Sequence, residues 1–201
     1  MDYFISDPHF GHKRIIKFER TEFNNIKEHD EYLINSINKT VKVTDTLYIL
    51  GDVFNVENVR FLNGRKILLK GNHDNRSNKE YLGYFAKVHD NPFYYNSRIL
   101  LSHYPHPVED HILNVHGHLH NAVVNKENYL NLSAKMIDYK PVSEKELITK
   151  LNKLPEEKRD FLDEWYAPYY KFKENIDGVI LDENNILKVE ETKEYRRKLF
   201  S

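Results

Sequence analysis

"KILLKGNHD", residues 66 to 74, runs a short apolar stretch straight into a glycine, an asparagine, a histidine and an aspartate. A compact apolar run of this length suits a buried central strand better than a half-exposed one. The same arrangement recurs along the chain. "DYFIS" (2–6) leads into Asp7-Pro8-His9, and "TLYIL" (46–50) leads into Gly51-Asp52. "RILLS" (98–102) ends at His103, and "LNV" (113–115) leads into "HGHLH", with His118 and His120 on alternate positions. A further run, "YLNL" (129–132), carries no such motif. Between the early runs lie helical patterns. Residues 25–38 place Ile26, Leu33, Ile34 and Ile37 near the 3.6-residue period. Residues 55–62, "NVENVRFL", start on a capping Asn and stop at "NG". Strands alternating with helices predict an α/β domain. In open α/β sheets, ligand sites lie beyond the carboxyl ends of strands. Here five strand ends offer oxygen or imidazole donors.

Composition narrows the chemistry. The chain has 201 residues, a formal net charge of -1 and no cysteine. Disulfides, thiolate metal sites and cysteine nucleophiles are therefore excluded. The balanced charge gives no general basic surface for nucleic acid, although it leaves a local basic groove open. No stretch approaches the ~20 apolar residues of a membrane span, and the N-terminus is unlike a signal peptide. These features lead us to expect a cytoplasmic protein, in the host-cell cytoplasm if phage-encoded.

The donors imply metal. Asp7, Asp52, Asn72, His9, His103, His118 and His120 are too many for one tetrahedral zinc site. They suit two ions sharing a carboxylate, ~3.5–4 Å apart, an arrangement suited to phosphoryl displacement. Manganese is our first expectation, and mixed imidazole and carboxylate ligation is equally compatible with iron, nickel or zinc. His116 shares the alternation of His118 and His120, and we expect it to be structural or to support a ligand.

Asp-x-His, Gly-Asp, Gly-Asn-His-Asp, His and Gly-His-x-His, in this order over residues 3–142, resemble the calcineurin-like metallophosphoesterase family. "FISDPHFGHKRII" and "DYKPVS" resemble its compact bacterial and phage branch. The resemblance implies a four-layer α/β/β/α sandwich and metal-dependent phosphoester hydrolysis by a hydroxide bridging two divalent ions. A phosphodiesterase acting on a nucleotide-type or other small phosphodiester is the preferred form. A phosphomonoesterase or nucleotide pyrophosphatase with the same site, and a non-catalytic scaffold, stay open. Asp7, His9 and His120 would hold the first ion, Asp52 would bridge, and Asn72, His103 and His118 would hold the second. His73 would be the general acid, or a donor to the phosphoryl group, with Asp74 hydrogen-bonded to it and setting its tautomer. Glycines 51, 71 and 117 would allow the backbone to approach the ions. His12 and Arg14, at the start of the helix after the first motif, and Arg76 are candidate substrate contacts.

The domain boundary is expected near residue 142. Residues 143–201 would form a mostly helical extension packed on the core, as a lid, a dimer contact or a specificity element, with a homodimer through it left open. Ser143–Glu146 fits a capping box opening a helix to about Leu154. A second helix is expected from Pro155 to about Tyr166, a hairpin from Gly178–Leu181 and Ile186–Val189, and a charged terminal helix. Trp165, Tyr166, Tyr169, Tyr170 and Phe172 read as core packing, with base stacking as the sharper alternative.

Overall fold

In the computed structural model, residues 1–156 and 186–188 are described, and the apolar runs form two mostly parallel sheets. The first sheet contains β1 (Asp2–Ile5), β2 (Thr46–Ile49), β3 (Arg65–Leu69) and β4 (Lys87–His89), parallel and adjacent in that order. The second contains β5 (Phe93–Asn96), β6 (Ile99–Leu101), β7 (Leu113–His116) and β9 (Tyr129–Asn131), in the order β5-β6-β7-β9. Of these, only β5 runs antiparallel to its neighbour. Parallel neighbours carry all their carboxyl ends to one edge, and this juxtaposes the donor-bearing loops.

The two sheets share one core. Phe4, Ile5, Leu47, Ile49 and Leu68 from the first join Ile99, Leu101, Leu113, Val115 and Leu130 from the second in a single buried cluster. Burial of each such side chain contributes roughly 1.5–3 kcal/mol. The sheets also meet at their functional edge through backbone. Ser6 N–H donates to Leu132 O at 2.8 Å, and Ala134 N–H donates to Ser6 O at 2.8 Å. Away from that edge, Phe4 stacks on Tyr48 and meets Tyr95 edge-on, at 5.0 and 5.2 Å between centroids.

The helices follow their sequence signals. After α1 (Ile15–Phe18), α2 spans Ile26–Thr40. The Asn25 side chain caps α2 by accepting from Glu28 N–H, and Leu33 and Ile37 are buried on its inner face. Residues Val56–Phe61 form a 3₁₀ helix, capped by Asn55 as expected. A third helix, α3 (Asn78–Tyr81), follows the Gly-Asn-His-Asp turn. Short β8 (Ala122–Val124) lies between β7 and β9 in the chain.

The expected boundary near residue 142 falls on β10 (Val142–Ser143), which pairs antiparallel with β1. It runs directly into α4 (Glu144–Leu151), where the Ser143–Glu146 capping box is formed. Leu147, Leu151 and Leu154 lie in the same core as the sheets. Further on, β11 (Ile186–Lys188) pairs antiparallel with β8. The expected Pro155–Tyr166 helix beyond residue 156, the Gly178–Leu181 strand, the terminal helix and the Trp165–Phe172 aromatic cluster lie outside the described residues. Among the described residues, no helix is long and apolar enough to cross a membrane.

Candidate metal centre

Three loops leaving β1, β2 and β3 and two leaving β6 and β7 bring the predicted donors together. Asp7, His9 and His120 place one ligand atom each within 4.8 Å of one another, and Asp7, Asp52 and His103 do the same. The two groups share Asp7. Asp52 also spans both sides, with Oδ1 3.6 Å from His103 Nε2 and Oδ2 3.6 Å from His9 Nε2. Asn72 Oδ1 lies 3.0 Å from His103 Nε2 and 3.1 Å from His118 Nδ1, which ties the remaining two expected ligands to the second group.

The wiring of these side chains fits a cation. Asp7 Oδ2 accepts from Ser133 Oγ at 2.9 Å and from His118 N–H at 3.0 Å. Its Oδ1 is buried with no hydrogen-bond partner among the described residues, as is His9 Nε2. A buried carboxylate oxygen and imidazole nitrogen left unpaired are costly unless something positive sits between them. His103 gives the same indication. Its Nδ1 faces the Leu50 carbonyl at 2.8 Å, which can only accept, so Nδ1 carries a hydrogen and Nε2 is the ring atom turned to Asn72 Oδ1 and Asp52 Oδ1, at 3.0 and 3.6 Å. Three electron-rich atoms converge there.

Electrostatics agree. Burial depresses the pKa of His9 to about 2 and that of His118 to about 4, so both rings are neutral, with lone pairs available, at ordinary pH. Burial, then repulsion from Asp7, pushes Asp52 up to about 6 despite nearby His103. Burial also works to raise Asp7, but the imidazoles of His103, His120 and His9 hold it well below the usual carboxylate range.

His73 stands at the open side. Its ring is 43% exposed, with Nε2 4.0 Å from Asp52 Oδ2, while its backbone N–H donates to Asp52 Oδ1 at 2.9 Å. His12 lies beside it, stacked on the exposed Phe54 at 4.4 Å, with Nδ1 3.3 Å from His9 Nδ1. One expectation needs correction. Asp74 does not hydrogen-bond the His73 ring: its buried carboxylate accepts from the backbone N–H groups of Asp52, Val53 and Gly71 and from the Tyr81 hydroxyl. Asp74 thus fixes the turns that carry Asp52 and Asn72 rather than a tautomer. Arg14 is exposed and stands at the N-terminal cap position of α1, which is four residues long. Arg76 pairs with Glu57 at 4.0 Å.

The glycines act mainly through space. A Cβ at Gly117 would fall 1.9 Å from Ser6 Oγ and 2.2 Å from Asp7 Oδ2, and one at Gly51, whose φ is +94°, would fall 2.5 Å from His103 Nδ1. His116 is fully buried, with Nδ1 2.9 Å from Gly117 O, and stays outside both donor groups.

Sequence reading missed several supports. Arg20 is fully buried and donates to the carbonyls of Asp7 and Pro8, holding the first loop from behind. Glu19 contacts His120 Nδ1. Neither belongs to a recognisable motif. Ser133 could have been found, because it follows the sixth apolar run as the donors follow the other five.

The fold and site define an α/β protein with a buried His/Asp centre of metal-binding type. The chain is 33% identical over 174 residues to the uncharacterized protein MJ1445 of Methanocaldococcus jannaschii, covering 74% of this chain and 89% of that one. It belongs to the same family as that protein. It is also 28% identical over 164 residues to the Gene 66 protein of Mycobacterium phage L5, covering 61% of this chain and 78% of the phage protein. The crystal structure of the protein of unknown function AQ665 from Aquifex aeolicus matches with a TM-score of 0.56 and 33% identity, covering 74% of this chain and 97% of that one. No family model matches the sequence.

Proposed function

We propose that this protein is a calcineurin-like metallophosphoesterase of four-layer α/β/β/α architecture, hydrolysing phosphoesters with two divalent cations, manganese first among them. The observation that carries the reading is the pair of His/Asp groups sharing Asp7, with Asp7 Oδ1 and His9 Nε2 buried and unpaired between them. Asp7, His9 and His120 hold one cation, Asn72, His103 and His118 the other, and Asp52 reaches both. Two cations so held supply a nucleophile from water at neutral pH and neutralise charge developing on phosphorus. The chain's own residues do the rest. The phosphoryl group enters on the side where Asn72 and His73 are exposed. His73 Nε2, on the open side 4.0 Å from Asp52 Oδ2, donates a proton to the departing ester oxygen. The exposed Phe54 and the His12 ring stacked on it form one wall of that opening and meet the organic part of the substrate. Such a wall suits a diester with a bulky, nucleotide-type group, and we favour a phosphodiesterase.

The test is a panel of a synthetic aryl diester, an aryl monoester, an alkyl diester and cyclic and linear nucleotides, assayed with Mn²⁺. Diester turnover should be present, and His73→Ala should lower it by about 10²–10⁴. The loss should be larger for the alkyl leaving group, which needs its proton most. Absence of turnover across the panel, or an unimpaired His73→Ala variant, would reject the proposal.

A further inference from the structure

The outer partners of the four metal-site imidazoles are not alike. His103 Nδ1 meets the neutral carbonyl of Leu50 at 2.8 Å and His9 Nδ1 meets the His12 ring at 3.3 Å, whereas His118 Nδ1 lies 3.1 Å from Asn72 Oδ1, itself a donor of the second group. Among the described residues, His120 alone of the four has an anion behind it: its Nδ1 contacts the Glu19 carboxylate, while its Nε2 lies 4.0 Å from Asp7 Oδ1. The Glu19 side chain is only 13% exposed. It is seated beside Arg20, with Nε 3.8 Å from Glu19 Oε1, and Arg20 is itself anchored to the carbonyls of Asp7 and Pro8. One buried arginine thus positions both the loop carrying Asp7 and the carboxylate behind His120.

We propose that Glu19 is a positioning residue that makes the Asp7–His9–His120 site the tighter of two cation sites. A carboxylate accepting the Nδ1 hydrogen fixes the tautomer that leaves Nε2 free for the cation, and raises the donor strength of that nitrogen. In the second group His103 is backed by the Leu50 carbonyl, and among the described residues no carboxylate pairs with His118 or with the outer nitrogen of His103. The inference rests on the dinuclear reading above and adds an order of filling to it.

The experiment is a titration of the metal-stripped full chain with Mn²⁺, followed by calorimetry and by metal analysis after dialysis. The wild type should bind two ions in two separable steps. Asn72→Ala should remove the weaker step and keep the tighter one. Glu19→Gln, close in shape but uncharged, should weaken the tighter step by about 10–100-fold, the range typical for an outer-shell partner, and leave the weaker step in place. Glu22→Gln, altering a neighbouring carboxylate that contacts Tyr139 and Lys135, should change neither step. Melting of the stripped proteins separates this from a folding defect, because a purely structural Glu19 would shift that melt without dividing the two steps. If Glu19→Gln keeps both affinities, or loses the weaker step instead, the role of Glu19 is overturned while the dinuclear site stands. If the wild type binds no Mn²⁺, both readings fall together.

Discussion

His116 offers a test of the interior that is independent of catalysis. Its ring is fully buried in β7, its Nδ1 bonded to Gly117 O and its Nε2 without a partner. Burial holds its pKa at about 4, against an ordinary 6.5. A group with a depressed folded-state pKa stabilises the fold in full above its unfolded pKa, and loses that contribution as pH falls toward the folded value. The whole interval from 6.5 to about 4 corresponds to roughly 3 kcal/mol, of which about 2 kcal/mol is lost between pH 7 and pH 5. The perturbation is His116→Gln, which removes the titration and keeps an amide able to reach the Gly117 carbonyl. Denaturant unfolding of both proteins in chelator, at pH 7, 6 and 5, isolates the effect. His9, His29 and His118 are depressed by burial too and give both proteins an acid-sensitive background. The difference between their pH slopes reports His116 alone. The wild type should lose about 2 kcal/mol more than the variant over this range. Equal slopes would show that the ring accepts a proton in the folded state and that its burial is misjudged.

Two further outcomes follow from packing and capping. Gly117→Ala drives a Cβ against Ser6 Oγ and Asp7 Oδ2, so we expect a loss of at least about 1–3 kcal/mol in a chelator melt and a measurable fall in Mn²⁺ affinity; unchanged binding would contradict the tight approach. Ser143→Ala breaks the capping box of α4 and should cost about 1 kcal/mol in chemical unfolding with Mn²⁺ stoichiometry unaffected.

The elements legible in the sequence are those whose signal is local. Six apolar runs became strands within a residue or so, and Asn25, Asn55 and Ser143 capped the helices they precede. Donors at strand ends could be grouped because parallel strands send their carboxyl ends to one edge. What stayed hidden depends on tertiary placement. Alternation of strands and helices does not divide β1–β4 from β5, β6, β7 and β9, since both sheets are built from similar apolar runs. Lys87–His89, Phe93–Asn96 and Ala122–Val124 are too short or too mixed to stand out as strands. Ile186–Lys188 reads as half of a local hairpin, yet it pairs with Ala122–Val124. Glu19 and Arg20 look like surface charges, and only the fold turns Arg20 inward. Asp74 was assigned to its neighbour in sequence, whereas three backbone amides surround it.

That last difference bears on how the centre is held. Asp7, His9, Asp52, His118 and His120 all have left-handed backbone, with φ between 46° and 65°. Aspartate and histidine tolerate this region better than most residues, but each instance still costs of order 1 kcal/mol or more. Five together are comparable with the lower range of a domain's whole stability. The framework opposing this strain grips mostly backbone. Asp74 takes the amides of Gly71, Asp52 and Val53, and Arg20 takes the carbonyls of Asp7 and Pro8. Ser133 takes the outer oxygen of Asp7. Because these bonds are made within the chain, they hold the donor loops without drawing on the atoms that face one another across the site. The residues that make the site work are therefore divided by chemistry: those facing inward leave lone pairs free, and those behind them spend their hydrogen bonds on the main chain.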